Sequence, residues 1–487
     1  MFLTAPSLPF DSDHQELESA LVHLPAERRL SMPALACLVF FTTCGGAFAI
    51  EPLIGAVGPG WAVVFIIVTP LVWSLPTSLM VAELATMMPE EGGYYIWVRE
   101  TFGPFWAVQQ ACWTMATAVV WLAMFPVLFV TYLAFLIPAI GACAAAHSWR
   151  GALVPWLIAL LVILTGMGIN LRGAREVGGS AKINAAIVLG AFALMLMVWL
   201  KRFGTPGTAI EVIRHDLTTD HKSVLLLGLS YVVFNYSSWD SVSTYAGEVS
   251  QPQRNYPRAI GIALLMAVIC YLLPVMAGIT VTIRPEVWSA DAGWPVIAQL
   301  LGGNWLGSVI AAAGMVSMWG LFTAQLLYVS RLPYVMACDG WLPKVFAQTS
   351  PGTAVPKVAI LVFSAIGALF AAFSFGSLAI ISCLLYSGAL TLEFLSLIVL
   401  RIRRPNAHRA FRVAGGWVGM AYVCVTPFAF CALVLFATLR DWRSFPVQIL
   451  VVGLVVAAGV ILYFLRRRFA RRDHHLDCPA RKEVHSQ

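Results

Sequence analysis

Glu51 and Asp240 are carboxylates set in otherwise apolar stretches, each beside residues that interrupt a helix. Around the first the chain reads Thr42-Thr43-Cys44-Gly45-Gly46-Ala47-Phe48-Ala49-Ile50-Glu51-Pro52, and around the second Phe234-Asn235-Tyr236-Ser237-Ser238-Trp239-Asp240-Ser241. A carboxylate inside a bilayer span costs about 2.5–3.5 kcal/mol on insertion scales, so it faces a cavity, a partner or an ion path. Unwound backbone beside it exposes N–H and C=O groups, which hydrocarbon penalises and a solvated cavity can use. The chemistry this predicts is cation binding. Glu51 and Asp240 supply charge, Gly45, Gly46 and Phe48 form one wall, and the faces of Tyr236 and Trp239 can hold an ammonium group. The competing structural reading is that the glycine pair allows close helix packing and that the two acids form a link or a gate.

Other residues are weaker candidates. Trp319, Thr323 and Tyr386 are taken as substrate-binding residues, and Glu83, Gln109, Trp113 and Lys182 as candidate gating or coupling residues. Each also has a plain structural reading. Glu83 and Glu248 can pair with loop arginines such as Arg99 or Arg258, and Glu393 lies near enough to Arg401 and Arg403 for an ordinary ion pair. Lys182 can stand in for a bound sodium ion, although a snorkelling lysine is the favoured reading. A G-x-x-x-x-G-K-[ST] phosphate loop, an H-E-x-x-H metal motif and a G-x-S-x-G elbow are absent, so no cofactor, metal or enzymatic nucleophile is expected.

The elements that position these residues follow from composition. Of 487 residues, 60% are hydrophobic and 11% charged, against about half and a quarter in soluble domains. A span needs about 20 mostly apolar residues, and twelve stretches qualify, near 33–57, 61–88, 105–137, 152–169, 183–200, 224–246, 260–283, 305–329, 358–375, 378–400, 417–439 and 446–465. The expectation is an all-α integral membrane protein with one transport domain over 32–466, between tails at 1–31 and 467–487. The first 30 residues carry Asp11, Asp13, Glu16 and Glu18 without an apolar core and cleavage site, and read as no secretory signal. Segments on the N-terminal side of twelve spans hold 23 of the 31 lysines and arginines, which puts both termini in the cytoplasm. The ten cysteines include no C-x-x-C pair and imply neither a disulfide scaffold nor a zinc site.

If the first ten spans are two halves of five (about 33–200 and 224–400), spans 1 and 6 correspond, and paired discontinuous helices point to a midplane transporter site. The order of the motifs resembles the amino acid, polyamine and organocation transporter superfamily, most closely its plant and protozoan polyamine uptake branch, related to the L-type amino acid transporters. The likeness is carried by Gly45-Gly46-x-Phe48-x-x-Glu51, Trp73-Ser74-x-Pro76, Ala82-Glu83-Leu84, Gly92-Gly93-Tyr94, Gly103-Pro104-Phe105-Trp106, Asn235, Trp239-Asp240, Ala246-Gly247-Glu248 and Leu392-Glu393-Phe394. Departures include Ala47 and Ala49 in place of Pro and Gly, Thr131 in place of an acid, and Ala414 in place of a proline. The resemblance implies a LeuT-type fold of two inverted five-helix repeats, with spans 11 and 12 (about 417–465) peripheral.

The function expected is polyamine import by alternating access at the plasma membrane, with proton coupling preferred over sodium. Polyamines carry amines and no acid, which suits a site with carboxylates. The alternatives are an amino acid permease or exchanger, including one for cationic amino acids, and, from another class, a channel or nutrient receptor. Cys143 matches by position alone the cysteine through which related light chains join an accessory subunit; a free thiol is the favoured reading.

Overall fold

The computed structural model describes residues 29–145, 149–203, 207–217, 225–289, 293–350, 355–371, 376–440 and 446–470. Most of the expected tails lies outside them. The described residues are almost entirely helical, in the order α1 (Met32–Thr43), α2 (Glu51–Thr69), a π turn (Pro70–Ser74), α3 (Leu75–Met87), α4 (Tyr94–Phe102), α5 (Pro104–Leu136), α6 (Pro138–Ala145), α7 (Trp149–Asn170), α8 (Ala174–Phe203), α9 (Gly207–Asp216) and α10 (Leu225–Asn235). After two short 3-10 turns come α11 (Pro252–Val281), α12 (Pro285–Trp288), α13 (Gly293–Gly302), α14 (Asn304–Val329), α15 (Arg331–Cys338), α16 (Lys357–Phe370), α17 (Gly376–Arg403), α18 (Gly416–Arg440) and α19 (Pro446–Ala470). In a bilayer every backbone polar group needs an internal partner, which long helices supply.

Among the described residues, nine helical runs are long and apolar enough to cross a membrane. The three other expected spans appear as shorter pieces for local reasons. Span 1 is cut by Cys44–Ile50, and span 6 leaves the helix after Asn235. Helix α16, the counterpart of span 9, is 14 residues long. Spans 1 and 2 also share a helical run. Gly58, at φ 80°, turns the chain inside α2 ahead of Pro59, in a conformation that disfavours any residue with a Cβ. Short helices α4, α9, α12, α13 and α15 occupy segments that the hydropathy pattern treats as loops.

Helix α5 is the central post, packed against α4, α7, α14, α16, α17 and α19. Helices α1, α8 and α11 pack on one another, and α14 joins them to α5. The outer faces are apolar: Ile183, Leu265, Val418 and Leu454 are all exposed, as lipid-facing positions require.

Candidate functional site

The two breaks meet. Asn235, the last residue of α10, donates from Nδ2 to Ala49 O at 2.8 Å, tying one break to the other. Tyr271 of α11 donates to Asn235 O at 2.9 Å. Across from them, α14 holds the first break through Ser317 Oγ, which donates to Gly45 O, and through Gln325 Nε2, which donates to Thr42 O at 3.2 Å. Gly45, at φ 64°, lies so close to α14 that a Cβ would fall 2.7 Å from the Leu321 side chain. Of the three non-glycine residues at positive φ among the described residues, two lie in the breaks, Ala49 at φ 69° in the first and Ser238 at φ 71° in the second. Such conformations persist where surrounding contacts hold them.

Between the breaks lies a cavity of about 30 Å³. Its wall includes Thr43, Cys44 and Phe48 from the first break, Asn235, Ser237 and Ser238 from the second, Trp121 and Phe125 from α5, Tyr271 from α11, and Met318, Leu321 and Gln325 from α14. That volume is about one water molecule's share of liquid, so a longer solute enters only if the helices around it part. Beyond Phe48 lies a cluster of edge-on and tilted aromatic rings: Phe48 meets Tyr132 at 5.2 Å and Phe192 at 5.1 Å, and Phe192 meets Trp294 at 5.6 Å.

Asp240 stands one layer behind the cavity wall. The Tyr386 hydroxyl donates to Asp240 Oδ1 at 2.7 Å and accepts the Ser238 N–H at 2.8 Å. The Tyr386 ring sits 6.0 Å from that of Trp121. A buried carboxylate is therefore joined to the cavity through a single hydroxyl. Glu51 is buried but lies apart from the cavity lining. Its Oε1 accepts from the N–H of Trp294 at 3.4 Å, its Oε2 has no hydrogen-bond partner, and the backbone N–H groups of Ala49, Ile50 and Glu51 lie near enough to act on its charge. It thus sits beside the backbone N–H groups that the unwound stretch frees at the start of α2.

Several expected wall residues point elsewhere. Tyr236 and Trp239 are buried, but the Tyr236 hydroxyl donates to Ile66 O at 3.2 Å and Trp239 Nε1 donates to Tyr236 O at 2.8 Å, so both brace the break instead of facing the cavity. Trp319 Nε1 donates to Thr165 of α7 at 3.1 Å, and Thr323 lies against Gly166 of α7. Their helix turns Met318, Leu321 and Gln325 inward. On α5, Gln109 packs against Gly459 of α19 and Trp113 against Gly388 of α17, while Trp121 and Phe125, which sequence reasoning missed, face the cavity. Lys182 is exposed on the outer surface of α8, which corrects the sodium-substitute reading: it is not in the bundle interior. Cys143 is a half-buried free thiol on α6.

The expected ion pairs form with different partners. Glu83 is gripped by Arg401, whose Nε donates to Oε1 at 2.6 Å and whose Nη2 donates to Oε2, with Arg409 Nε at 3.1 Å and the Val413 N–H at 2.8 Å. Glu248 pairs with Arg331 at 2.7 Å, and Arg99 with Asp339 at 2.7 Å. Arg401 is thereby engaged, and Glu393 instead accepts from Gln110 Nε2 at 2.9 Å. These pairs gather at the end of the bundle where α1 begins. There Leu30 N donates to Glu248 O at 2.8 Å and Gly92 N to Thr244 O at 2.8 Å. This basic end is closed as well. Half-buried Glu91 lies beside Glu248, and burial together with that negative neighbour pushes its carboxyl up to about 8.

Residues 30–456 match the amino acid permease family. Among curated relatives, the chain is 35% identical to the rice (Oryza sativa subsp. japonica) polyamine transporter PUT1 over 93% of this chain and 82% of that protein. It is 33% identical to the Arabidopsis thaliana polyamine transporter RMV1 over 88% and 84%. A more distant likeness, 28% over 60% of this chain and 61% of the relative, is to the uncharacterized transporter Rv1999c of Mycobacterium tuberculosis.

Proposed function

Because the chain belongs to the amino acid permease family, we propose that it is a membrane transporter of polyamines that works by alternating access and is not an enzyme. The observation that carries the reading is Asp240, a buried carboxylate joined to the central cavity through the Tyr386 hydroxyl, in a chain about one third identical to named polyamine transporters over most of its length. Glu51 adds to it. Amino acid permeases use the positive ends of broken helices to hold a substrate carboxylate, and here the Glu51 carboxylate already stands beside those N–H groups. A substrate acid would meet like charge, whereas an amine would not.

In this reading the twelve spans form a LeuT-type pair of five-helix repeats with α18 and α19 at the periphery, and residues 32–466 act as one unit. Both termini are cytoplasmic in the plasma membrane, with the basic end inside. Phe48 lines the cavity, Gly45 and Gly46 let the first break approach α14 and α8, Tyr236 and Trp239 hold the second break in position, and Asp240 with Tyr386 receives the ammonium group. The aromatic cluster around Phe48 is the outer closure, and the Arg331–Glu248 and Leu30–Glu248 contacts are the inner one. Rocking about the breaks opens one closure while the other holds. The membrane potential alone favours inward movement by about 2.3 kcal/mol per charge per 100 mV, and proton coupling adds to it.

The test is uptake of labelled putrescine and spermidine by proteoliposomes, competed with arginine, leucine and unlabelled polyamines. Competition by polyamines is expected. Inhibition by leucine with none by spermidine would place the chain with the amino acid carriers.

A further inference from the structure

We propose that Glu393 is the proton-carrying group of the transport cycle, a buried carboxylate behind Asp240 that takes up one proton with each substrate molecule. The inference rests on the polyamine-transport reading above and assigns its coupling ion to a residue.

Glu393 is fully buried on α17 and within electrostatic reach of Asp240. Its Oε1 accepts from Gln110, while its Oε2, the Gln110 Oε1 and the Tyr94 hydroxyl have no hydrogen-bond partner. Tyr94, from α4, interacts electrostatically with both Asp240 and Glu393, as does Tyr386. Two acceptors, Glu393 Oε2 and Gln110 Oε1, thus stand with a single unpaired donor, the Tyr94 hydroxyl. No cation corrects this among the described residues around it. Arg401, two turns further along α17 and ~12 Å by helical rise, is bound to Glu83 together with Arg409. Helix α5 contributes Gln110, α18 contributes Cys431 beside Ser387 and Thr391, and Tyr463 of α19 stacks on Trp341.

Two carboxylates in such a setting are not both charged without a counter-ion. One proton on Glu393 leaves Asp240 ionised to face the ammonium group, and the carboxyl O–H supplies a donor that the cluster lacks. Glu393 lies on the side of Asp240 toward Arg401 and the basic end. When that end opens, the ammonium leaves Asp240 and the Glu393 O–H bond breaks, its proton passing to water inside. Water admitted through the open end hydrates the emptied pair, and one proton from outside restores Glu393 before the closed, substrate-bound state forms again. One proton and one substrate molecule move inward per cycle.

The experiment uses the full chain in proteoliposomes and reads labelled putrescine uptake, proton entry by an internal pH dye, and exchange of labelled for unlabelled putrescine at equal pH. For Glu393→Gln, exchange is expected to persist, proton entry per putrescine to fall at least tenfold, and the dependence of uptake on external pH between 5.5 and 7.5 to flatten. Glu393→Asp restores the pH dependence. Wild-type proton entry in Glu393→Gln overturns the assignment, as does loss of exchange, which would make Glu393 part of substrate binding or of the fold. Putrescine uptake by the wild type without proton entry also overturns it while leaving the polyamine reading standing; no putrescine uptake by the wild type removes that reading itself.

Discussion

Replacing Asp240 by Asn isolates charge from shape. The Asn side chain keeps an oxygen where Asp240 Oδ1 accepts the Tyr386 hydroxyl at 2.7 Å, so the Ser238–Tyr386 link and the second break are retained. What is lost is the attraction between a carboxylate and an ammonium group. For unit charges ~6 Å apart, with the Tyr386 hydroxyl between them, at an effective dielectric constant of ~20 this is about 3 kcal/mol, and at about 1.4 kcal/mol per tenfold it corresponds to roughly a hundredfold weaker binding. The assay is the concentration dependence of labelled putrescine uptake at a fixed inside-negative potential, with thermal unfolding of the purified variant as the control for folding. The expected result is an unfolding temperature within a few degrees of wild type and a KM raised roughly a hundredfold. An Asp240→Asn variant with a KM within threefold of wild type would refute the reasoning, because no buried charge facing the substrate can be removed at so small a cost.

Breaking the buried Glu83 cluster by Arg401→Met leaves a carboxylate held by Arg409 and the Val413 N–H alone, and is expected to destabilise the protein by about 3–5 kcal/mol, seen as a large fall in unfolding temperature. Ala49→Gly relieves a left-handed non-glycine backbone at φ 69° and is expected to stabilise by about 1 kcal/mol, measured the same way; a lower unfolding temperature would mean that the Ala49 methyl group packs better than the strain costs. The Glu91 carboxyl, pushed up to about 8 by burial and by Glu248, favours the closed basic end while protonated. Its contribution is full below the ordinary carboxylate range near 4.5 and disappears as pH rises through about 8, so wild type should lose stability between about pH 5 and 8 and no more above that, relative to Glu91→Gln, and parallel pH profiles would contradict this.

The all-helical membrane class and the site of each break were legible from local properties. Hydropathy needs only a window of residues, and the Gly45-Gly46 pair and the polar run from Asn235 to Ser241 interrupt helices wherever they are placed. The partners of the charged residues were not legible, since Glu83 and Arg401 are 318 positions apart and an arginine near Glu393 in the chain can be taken by an acid distant in it. The inward faces of the helices were also hidden. In a soluble helix a polar stripe marks the side away from the core, but in a membrane the lipid and the bundle interior are equally apolar. Nothing along α14 distinguishes Trp319 and Thr323, which meet α7, from Met318, Leu321 and Gln325, which meet the cavity. Nor does anything along α5 separate Gln109, packed on Gly459, from its neighbour Gln110, bonded to Glu393. The sequence by itself determined that two carboxylates stand beside two broken helices. Only the packing of those helices decided that Asp240 reaches the cavity through Tyr386 while Glu51 turns to the freed backbone N–H groups beside it.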